Sequence, residues 1–82
     1  MAVTHELKCW PPYFAAIRRK EKNFDVRRDD RGFQKGDTVI LREYEMQRSP
    51  HRYTGNDETR KIKYILTGGQ FGLEPGYVVL GF

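Results

Sequence analysis

The sequence has almost none of the residues that small folds use as covalent or metal staples. Its 82 residues include one cysteine, Cys9, and two histidines, His5 and His51, far apart in the chain. One cysteine cannot form an internal disulfide, and a four-ligand zinc site needs more Cys and His residues than these. His5 and Cys9 share a face of one predicted strand, where we expect core packing. We therefore predict no metal, no cofactor and a reducing compartment.

Long apolar runs are also missing. No stretch approaches the length of a membrane-spanning helix, and the first ten residues carry charge too early for the apolar region of a signal peptide. We therefore expect no membrane association and a cytoplasmic location. Eighty-two residues, 38% of them apolar and 32% charged, predict a single domain over residues 1–82 with a thin core.

The charge that is present is basic. Fifteen lysines and arginines outnumber eleven acidic residues, giving a net charge of +4, and nine of the fifteen are arginines. The excess lies in two segments, 18–31 and 46–63, each with a net charge of +3. Arginine suits bidentate phosphate contacts and stacking on bases, so a polyanionic partner is one expectation. The other expectation is that the domain binds no nucleic acid, as is the case for many small basic domains.

Periodicity predicts about five short strands and one helix. The alternation in "HELKCW" predicts a strand with His5, Leu7 and Cys9 on one face, and Pro11 and Pro12 end it. The remaining predictions are a helix over about 12–20, strands over 23–28, 38–45, 59–66 and 77–82, an irregular connection over 46–58 and a glycine-rich loop over 67–76. This order predicts an α+β fold, a small curled sheet or barrel with the helix plugging one end and an ordered C-terminus.

The segment "KEKNFDVRRDD" carries the candidate site. Lys22, Asp25 and Arg27 stand at positions i, i+3 and i+5, between the end of the predicted helix and the start of a strand. A lysine, a planar guanidinium and an acid that orients them can hold a small polar ligand. On spacing alone, a surface ion pair between Asp25 and Arg27 beside a solvated lysine is favoured over a site.

The same segment resembles the ASCH superfamily, which has the PUA-like fold. The pattern of that family is Gly-x-Lys-x-x-Glu-x-Arg, and here Lys20 replaces the glycine, Lys22 and Arg27 match, and Asp25 replaces the glutamate. The blocks "HELKCWPPYFAAI", "DDRGFQKGDTVILREYE", "YTG" and "YILTGGQFGLEPGYVVLGF" are similar to a compact phage and bacterial ASCH-like group of unassigned function. The resemblance implies a PUA-like β-barrel and a ligand cleft at Lys22, Asp25 and Arg27.

Four further residues, three of them aromatic, are candidates for ligand binding. Trp10 and Tyr44, with Tyr53, are aromatic side chains that can stack on a base, although Trp10 can also pack on the start of the helix. Gln70 in the glycine-rich loop can contact a base edge or a phosphate, although glycines between two strands need no ligand.

Three functions remain open. The resemblance implies an RNA- or nucleotide-binding module, and it also implies, as an alternative, a small amidohydrolase acting on an acylated nucleoside such as N4-acetylcytidine. In that case Lys22 and Asp25 would be the catalytic residues. The third is a phage accessory protein that binds a host protein. The sequence leaves the oligomeric state open.

Overall fold

The chain folds into two three-stranded sheets and one helix. The computed structural model describes residues 2–82, and its elements are β1 (Thr4–Cys9), α1 (Pro11–Arg18), β2 (Phe24–Arg28), β3 (Thr38–Glu45), β4 (Arg52–Lys61), β5 (Tyr64–Thr67) and β6 (Tyr77–Gly81). The strand order is β1-β3-β4 in the first sheet and β2-β6-β5 in the second. The α+β class is confirmed, with six strands instead of about five.

The first sheet combines a parallel and an antiparallel pair. β1 runs parallel to β3, from Thr4 opposite Thr38 to Cys9 opposite Glu43, and β4 runs antiparallel to β3. β1 alternates as predicted, with His5, Leu7 and Cys9 buried. One apolar cluster contains members from both sheets, the helix and the loop before β3: Leu7, Cys9, Phe14, Ile17, Phe33, Val39, Leu41, Ile62, Val78 and Leu80.

Helix α1 begins with two prolines and ends in a hydrogen-bonded turn. Proline is tolerated in the first helical turn because an N–H there would have no helical partner. At the other end the N–H of Glu21 donates to Ala16 O at 2.9 Å and that of Lys20 to Ile17 O at 3.0 Å. These two bonds form a Schellman motif, with Lys20 in the left-handed conformation at φ 64°. The helix therefore stops at Arg18, earlier than predicted.

Strand β2 faces the opposite way from the expectation. The alternation of Phe24 and Val26 with charged residues predicts that the apolar pair faces the core, but both are exposed, and Asp25 between them is buried. Alternation predicts a strand without saying which face is buried when the polar face carries paired charges. The inward side chain here is a carboxylate, and its cationic partners offset the free-energy cost of burying it.

The run 59–66 is not one strand. Ile62 is buried, and its backbone bonds to the turn before β3, with its N–H donating to Asp37 O and its carbonyl accepting from Gly36 N, both at 2.8 Å. The next residue, Lys63, donates to Gly81 O at 2.7 Å in the second sheet. The chain thus changes sheets at Ile62. The irregular connection predicted for 46–58 was wrong in its second half, because β4 begins at Arg52.

Strand β6 lies at the centre of the second sheet. It pairs with β2 on one side and β5 on the other, and it buries Val78 and Leu80. The expected ordered C-terminal strand is confirmed. Within residues 2–82, no helix is both long enough and apolar enough to cross a membrane.

Candidate functional site

Lys22, Asp25 and Arg27 form one charged cluster at the start of β2. Arg27 Nε donates to Asp25 Oδ2 at 2.6 Å, and Lys22 Nζ lies 3.5 Å from Asp25 Oδ1 and donates to Phe24 O at 3.0 Å. Asp25 is only 8% exposed, and the two cationic side chains are mostly covered. The carboxylate therefore lies between two cations, each bonded to a different oxygen.

Two local features bring the cluster together. The Schellman motif ends α1, and the N–H of Lys22 donates to Ala16 O at 3.1 Å, which directs the chain from the helix into β2. The pleat of β2 then places Asp25 and Arg27 on the same face, two residues apart. Arg27 Nη2 also donates to Lys8 O at 3.1 Å, so the guanidinium links the second sheet to β1 of the first.

The charged cluster retains hydrogen-bonding capacity for a ligand. Nε and Nη2 of Arg27 have protein acceptors, while its third nitrogen, Nη1, has none in the part of the chain that the structure describes. That nitrogen is not buried, because residues 2–82 contain no buried side-chain polar atom without a partner. A guanidinium fixed at two corners and open at the third can donate to an anion or a carbonyl oxygen.

The thiol of Cys9 lies within the electrostatic field of this cluster. The pKa of Cys9 is raised from 9.0 to about 11, first by burial and then by the negative charge of Asp25. The charges of Lys22 and Arg27 lower the same pKa, and Glu43 raises it. Cys9 is therefore a protonated, buried thiol at neutral pH, with the cluster nearby.

Glu43 is a residue of this region that the sequence analysis missed. It pairs in register with Cys9, and it is the single β3 residue opposite an irregularity in β4, where residues 54–56 lie between the partners of Arg42 and Tyr44. Its Oε1 accepts from Thr54 Oγ1 at 2.8 Å and from Asn56 Nδ2 at 3.1 Å. Bulges often redirect side chains beside functional sites. The signal that could have revealed it is the glycine between Thr54 and Asn56, since glycine within a strand often marks a bulge.

A groove of about 600 Å³ opens on the Glu43 side of Cys9. Its walls are Trp10, Pro11, Pro12, Glu43, Glu45, Met46, Gln47, Arg48 and Thr54. This volume falls in the range that small-molecule sites occupy. It has an aromatic wall, and Glu43 and Glu45 supply carboxylate acceptors.

The other predicted ligand-binding residues are dispersed. Trp10 is 46% exposed on the rim of the groove and stacks on Tyr13 with ring centroids 6.1 Å apart. Tyr44 packs edge-to-face on Tyr53 at 4.9 Å and lies under Lys8 Nζ at 4.5 Å, on the opposite face of the first sheet from Cys9. Both aromatic residues therefore have protein partners of their own, and neither contacts the charged cluster.

Gln70 belongs to a loop that is bonded to itself. Its Nε2 donates to Thr67 O at 2.8 Å, and Gly69 N donates to Leu73 O at 2.7 Å. A Cβ on Gly68 would lie 2.8 Å from Tyr77 O and still closer to Glu74 O, so this glycine is needed for close backbone packing. The glycines thus have a structural role. Gln70 follows Thr67, at the end of β5 that lies away from Lys22.

Metal chemistry has no ready ligand set. In residues 2–82, no three His, Cys, Asp or Glu side chains are grouped closely enough to hold a metal ion.

The sequence matches one family model over nearly its whole length. A model described as a domain of unknown function, DUF3850, matches residues 4–82. The chain belongs to this family. It is also similar to a protein of Escherichia phage P2 named "Uncharacterized 12.9 kDa protein in GpA 3′ region", with 39% identity over 44 residues. That match covers 54% of the chain and 40% of the phage protein, so less than half of that relative is represented. The family is therefore identified, and neither name states an activity.

Proposed function

We propose that this member of the DUF3850 family is an ASCH-type module that binds RNA or a nucleotide-like ligand at the charged cluster of Lys22, Asp25 and Arg27. The observation that carries the proposal is the double anchoring of Arg27. Asp25 and the Lys8 carbonyl hold two of its nitrogens, at 2.6 and 3.1 Å, and leave Nη1 available. A preorganised guanidinium loses little entropy when it binds a phosphate or a base carbonyl.

Two features outside the cluster, the net charge and the groove, support a nucleotide-like ligand. The net charge of +4 favours polyanions, and the groove beside Trp10 offers an aromatic wall and acidic acceptors within about 600 Å³. Aromatic stacking with carboxylate acceptors suits a base that carries an amino group. The ASCH resemblance supports the same ligand class, and with it we propose that the two sheets belong to a PUA-like barrel. We also propose a cytoplasmic location, in keeping with the free thiol of Cys9.

The first experiment compares two arginines that both donate to a backbone carbonyl of β1. Arg27 donates to Lys8 O and Arg31 donates to Glu6 O at 2.8 Å, but only Arg27 bonds to Asp25. Binding of single-stranded RNA, mononucleotides and N4-acetylcytidine is measured by titration calorimetry for the wild type, Arg27→Gln and Arg31→Gln. We expect Arg27→Gln to weaken binding about 10-fold or more and Arg31→Gln to change it less than about 3-fold. Equal effects of the two variants would contradict the proposal.

The second experiment separates binding from hydrolysis at Lys22. The amine of Lys22 donates to the Phe24 carbonyl and to Asp25. These contacts hold the charged amine in place, and neither of them favours a catalytic role over a binding role. Lys22→Arg keeps the positive charge, so a binding module should lose little affinity in Lys22→Arg and more in Lys22→Ala. An amidohydrolase should lose about 100-fold or more in turnover in both. Turnover of N4-acetylcytidine by the wild type that disappears in both variants would replace the binding proposal with the hydrolase.

A further inference from the structure

The outer face of the second sheet carries two exposed aromatic rings in one row. Phe24 and Tyr64 both pair with Gly81, which lies between them on the central strand. Directly paired residues of antiparallel strands project to the same side, so both rings project from the outer face. Phe24 is 41% exposed and Tyr64 is 64% exposed. We call Phe24, Gly81 and Tyr64 the aromatic row.

The glycine leaves a gap between the rings. Neighbouring strands are about 4.8 Å apart, so the backbones of Phe24 and Tyr64 are separated by about 10 Å. A Cβ on Gly81 would lie 3.5 Å from Tyr64 O and 3.6 Å from Tyr64 Cβ, which is ordinary contact distance. Packing therefore does not require a glycine there. Glycine inside a strand often marks a place where a ligand approaches closely.

A basic depression of about 340 Å³ borders this row. Asn23, Lys63 and Phe82 line it, and each is one residue beyond a member of the aromatic row. The remaining lining residues are Ile17, Lys20, Lys22 and Arg60. Lys63 also lines a second depression, together with Lys35, Gly36, Lys61 and Ile62. The two depressions therefore meet at Lys63, and no carboxylate lines either of them.

The lysines of this surface are the cations that have no partner within the described part of the chain. Of the fifteen basic side chains, nine pair with a carboxylate and two more, Lys8 and Arg28, lie over aromatic rings. The four that remain are Lys20, Lys35, Lys61 and Lys63. We call them the lysine strip. All four line the two depressions.

Lys20 occupies a position that glycine would fill with less strain. Its φ is 64°, and its site is the residue after the helix cap, where glycine is the common choice. The left-handed conformation is less stable for a residue with a Cβ than for glycine. A strained lysine with an unpaired charge beside a depression is consistent with a binding role.

We propose that a single-stranded nucleic acid binds across this face, with a base stacked in the aromatic row and its phosphates along the lysine strip. The inference rests on the proposed function, because Lys22 belongs to both surfaces: its Nζ lies 5.0 Å from the centre of the Phe24 ring. It adds that the ligand is an oligonucleotide strand that extends from the charged cluster over the second sheet.

The combination of rings and free ammonium groups selects this partner over an acidic protein. Every base has a flat face that stacks on aromatic rings, and phosphates accept from unpaired lysines. An acidic peptide would use the lysine strip but would leave the two rings and the gap at Gly81 unexplained. A second copy of this chain would bring more positive charge to a positive surface.

The test measures binding of a fluorescein-labelled 12-nucleotide poly(U) strand by anisotropy, and of an abasic strand of equal charge. Gly81→Val fills the gap with a residue that strands favour, so the fold should survive. Tyr64→Ala removes one ring, and Phe71→Ala, which removes a ring that is 89% exposed in a loop, is its control. We expect Gly81→Val and Tyr64→Ala to weaken poly(U) binding about 5-fold or more and to change binding of the abasic strand little. Phe71→Ala should leave poly(U) binding little changed.

A second pair of variants tests the lysine strip. Lys61→Gln with Lys63→Gln removes two unpaired cations, and Arg48→Gln with Arg52→Gln removes two cations that pair with Glu45. The lysine variant should weaken poly(U) binding and reduce the slope of log K against log salt by about 1.4, and the arginine variant should change the slope much less.

The outcomes distinguish the two proposals. If Arg27→Gln weakens mononucleotide binding while the aromatic-row variants leave poly(U) binding unchanged, the inference fails and the proposed function stands. If the aromatic-row variants act on poly(U) and Arg27→Gln has no effect on any ligand, the cluster proposal fails. Equal binding of the abasic and poly(U) strands, or dimerisation in sedimentation that Tyr64→Ala abolishes, would overturn the inference.

Discussion

Arg27 Nε donates to Asp25 Oδ2 at 2.6 Å, and Nη2 of the same guanidinium donates to Lys8 O in the other sheet at 3.1 Å. Arg27 therefore links the buried carboxylate of Asp25 to a backbone carbonyl of β1, at the junction between the two sheets. Cys9 lies close enough to this pair for their charges to act on its thiol. Cys9 is thus a natural reporter of the charged cluster.

The first prediction uses that reporter. Asp25→Asn removes a negative charge, so the pKa of Cys9 should fall from about 11, whereas Arg27→Gln removes a positive charge and should raise it. The pH dependence of Cys9 alkylation by iodoacetamide measures both shifts. Because burial raises the thiol pKa from 9.0 in the unfolded chain, the associated stability is complete below that value and is lost as pH rises toward about 11. Identical pH profiles for the two variants would show that the cluster does not act on Cys9.

The second prediction concerns acid unfolding. Asp37 is buried, and hydrogen bonds from His5 Nε2 at 2.8 Å and from the N–H of Val3 at 3.1 Å hold its pKa below the usual 3.8. Its contribution to stability is therefore complete above that value and is lost as pH falls below it. Urea unfolding from about pH 6 to about pH 3 should show a steeper loss for the wild type than for Asp37→Asn. Parallel curves would contradict the assigned role of Asp37.

The third prediction concerns the end of α1. Lys20→Gly removes the strain of a left-handed lysine and should raise the free energy of unfolding by about 0.5–1 kcal/mol. Lys63 lies between β4 and β5, and the matched change Lys63→Gly should lower the free energy of unfolding. Thermal and urea unfolding measure both. A lower stability for Lys20→Gly would mean that the side chain of Lys20 stabilises the fold more than its backbone strain costs.

The fourth prediction concerns β6. A chain ending at residue 76 lacks the central strand of the second sheet and the buried side chains of Val78 and Leu80. Each such side chain contributes about 1.5–3 kcal/mol, against a total stability of about 5–15 kcal/mol. The truncated protein should therefore be unfolded by circular dichroism. A truncated chain that is soluble and melts cooperatively would contradict the central position of β6.

Local patterns were enough to predict most of the elements. Alternation around Leu7 and the proline pair that begins α1 are local signals, and both led to elements that the structure contains. Long-range pairing was not predictable in the same way. The predicted strand 59–66 is interrupted at Ile62 because the backbone of Ile62 bonds to Gly36 and Asp37 in the turn before β3. Those residues are too far away in the sequence for a local pattern to reveal the contact.

The candidate site was predictable in part. The three residues of the charged cluster are close in sequence, so one motif could bring them together. Glu43 belongs to the region because it pairs in parallel with β1 and lies opposite an irregularity in β4, and both depend on tertiary structure. Alternation over the predicted strand 59–66 places Tyr64 on the same face as Ile62, but the chain changes sheets at Ile62 and Tyr64 lies in the aromatic row.

The most direct test of the central claim is a nuclear magnetic resonance titration of the ¹⁵N-labelled protein with a single-stranded RNA oligonucleotide. We expect the largest shift changes at the backbone amides of Lys22 and Asp25 and at the Nε–H of Arg27, because these groups form the charged cluster. The amide of Arg31 is the internal control and should change little. Saturating RNA that leaves the three cluster signals unchanged would contradict the assignment of the ligand site to Lys22, Asp25 and Arg27.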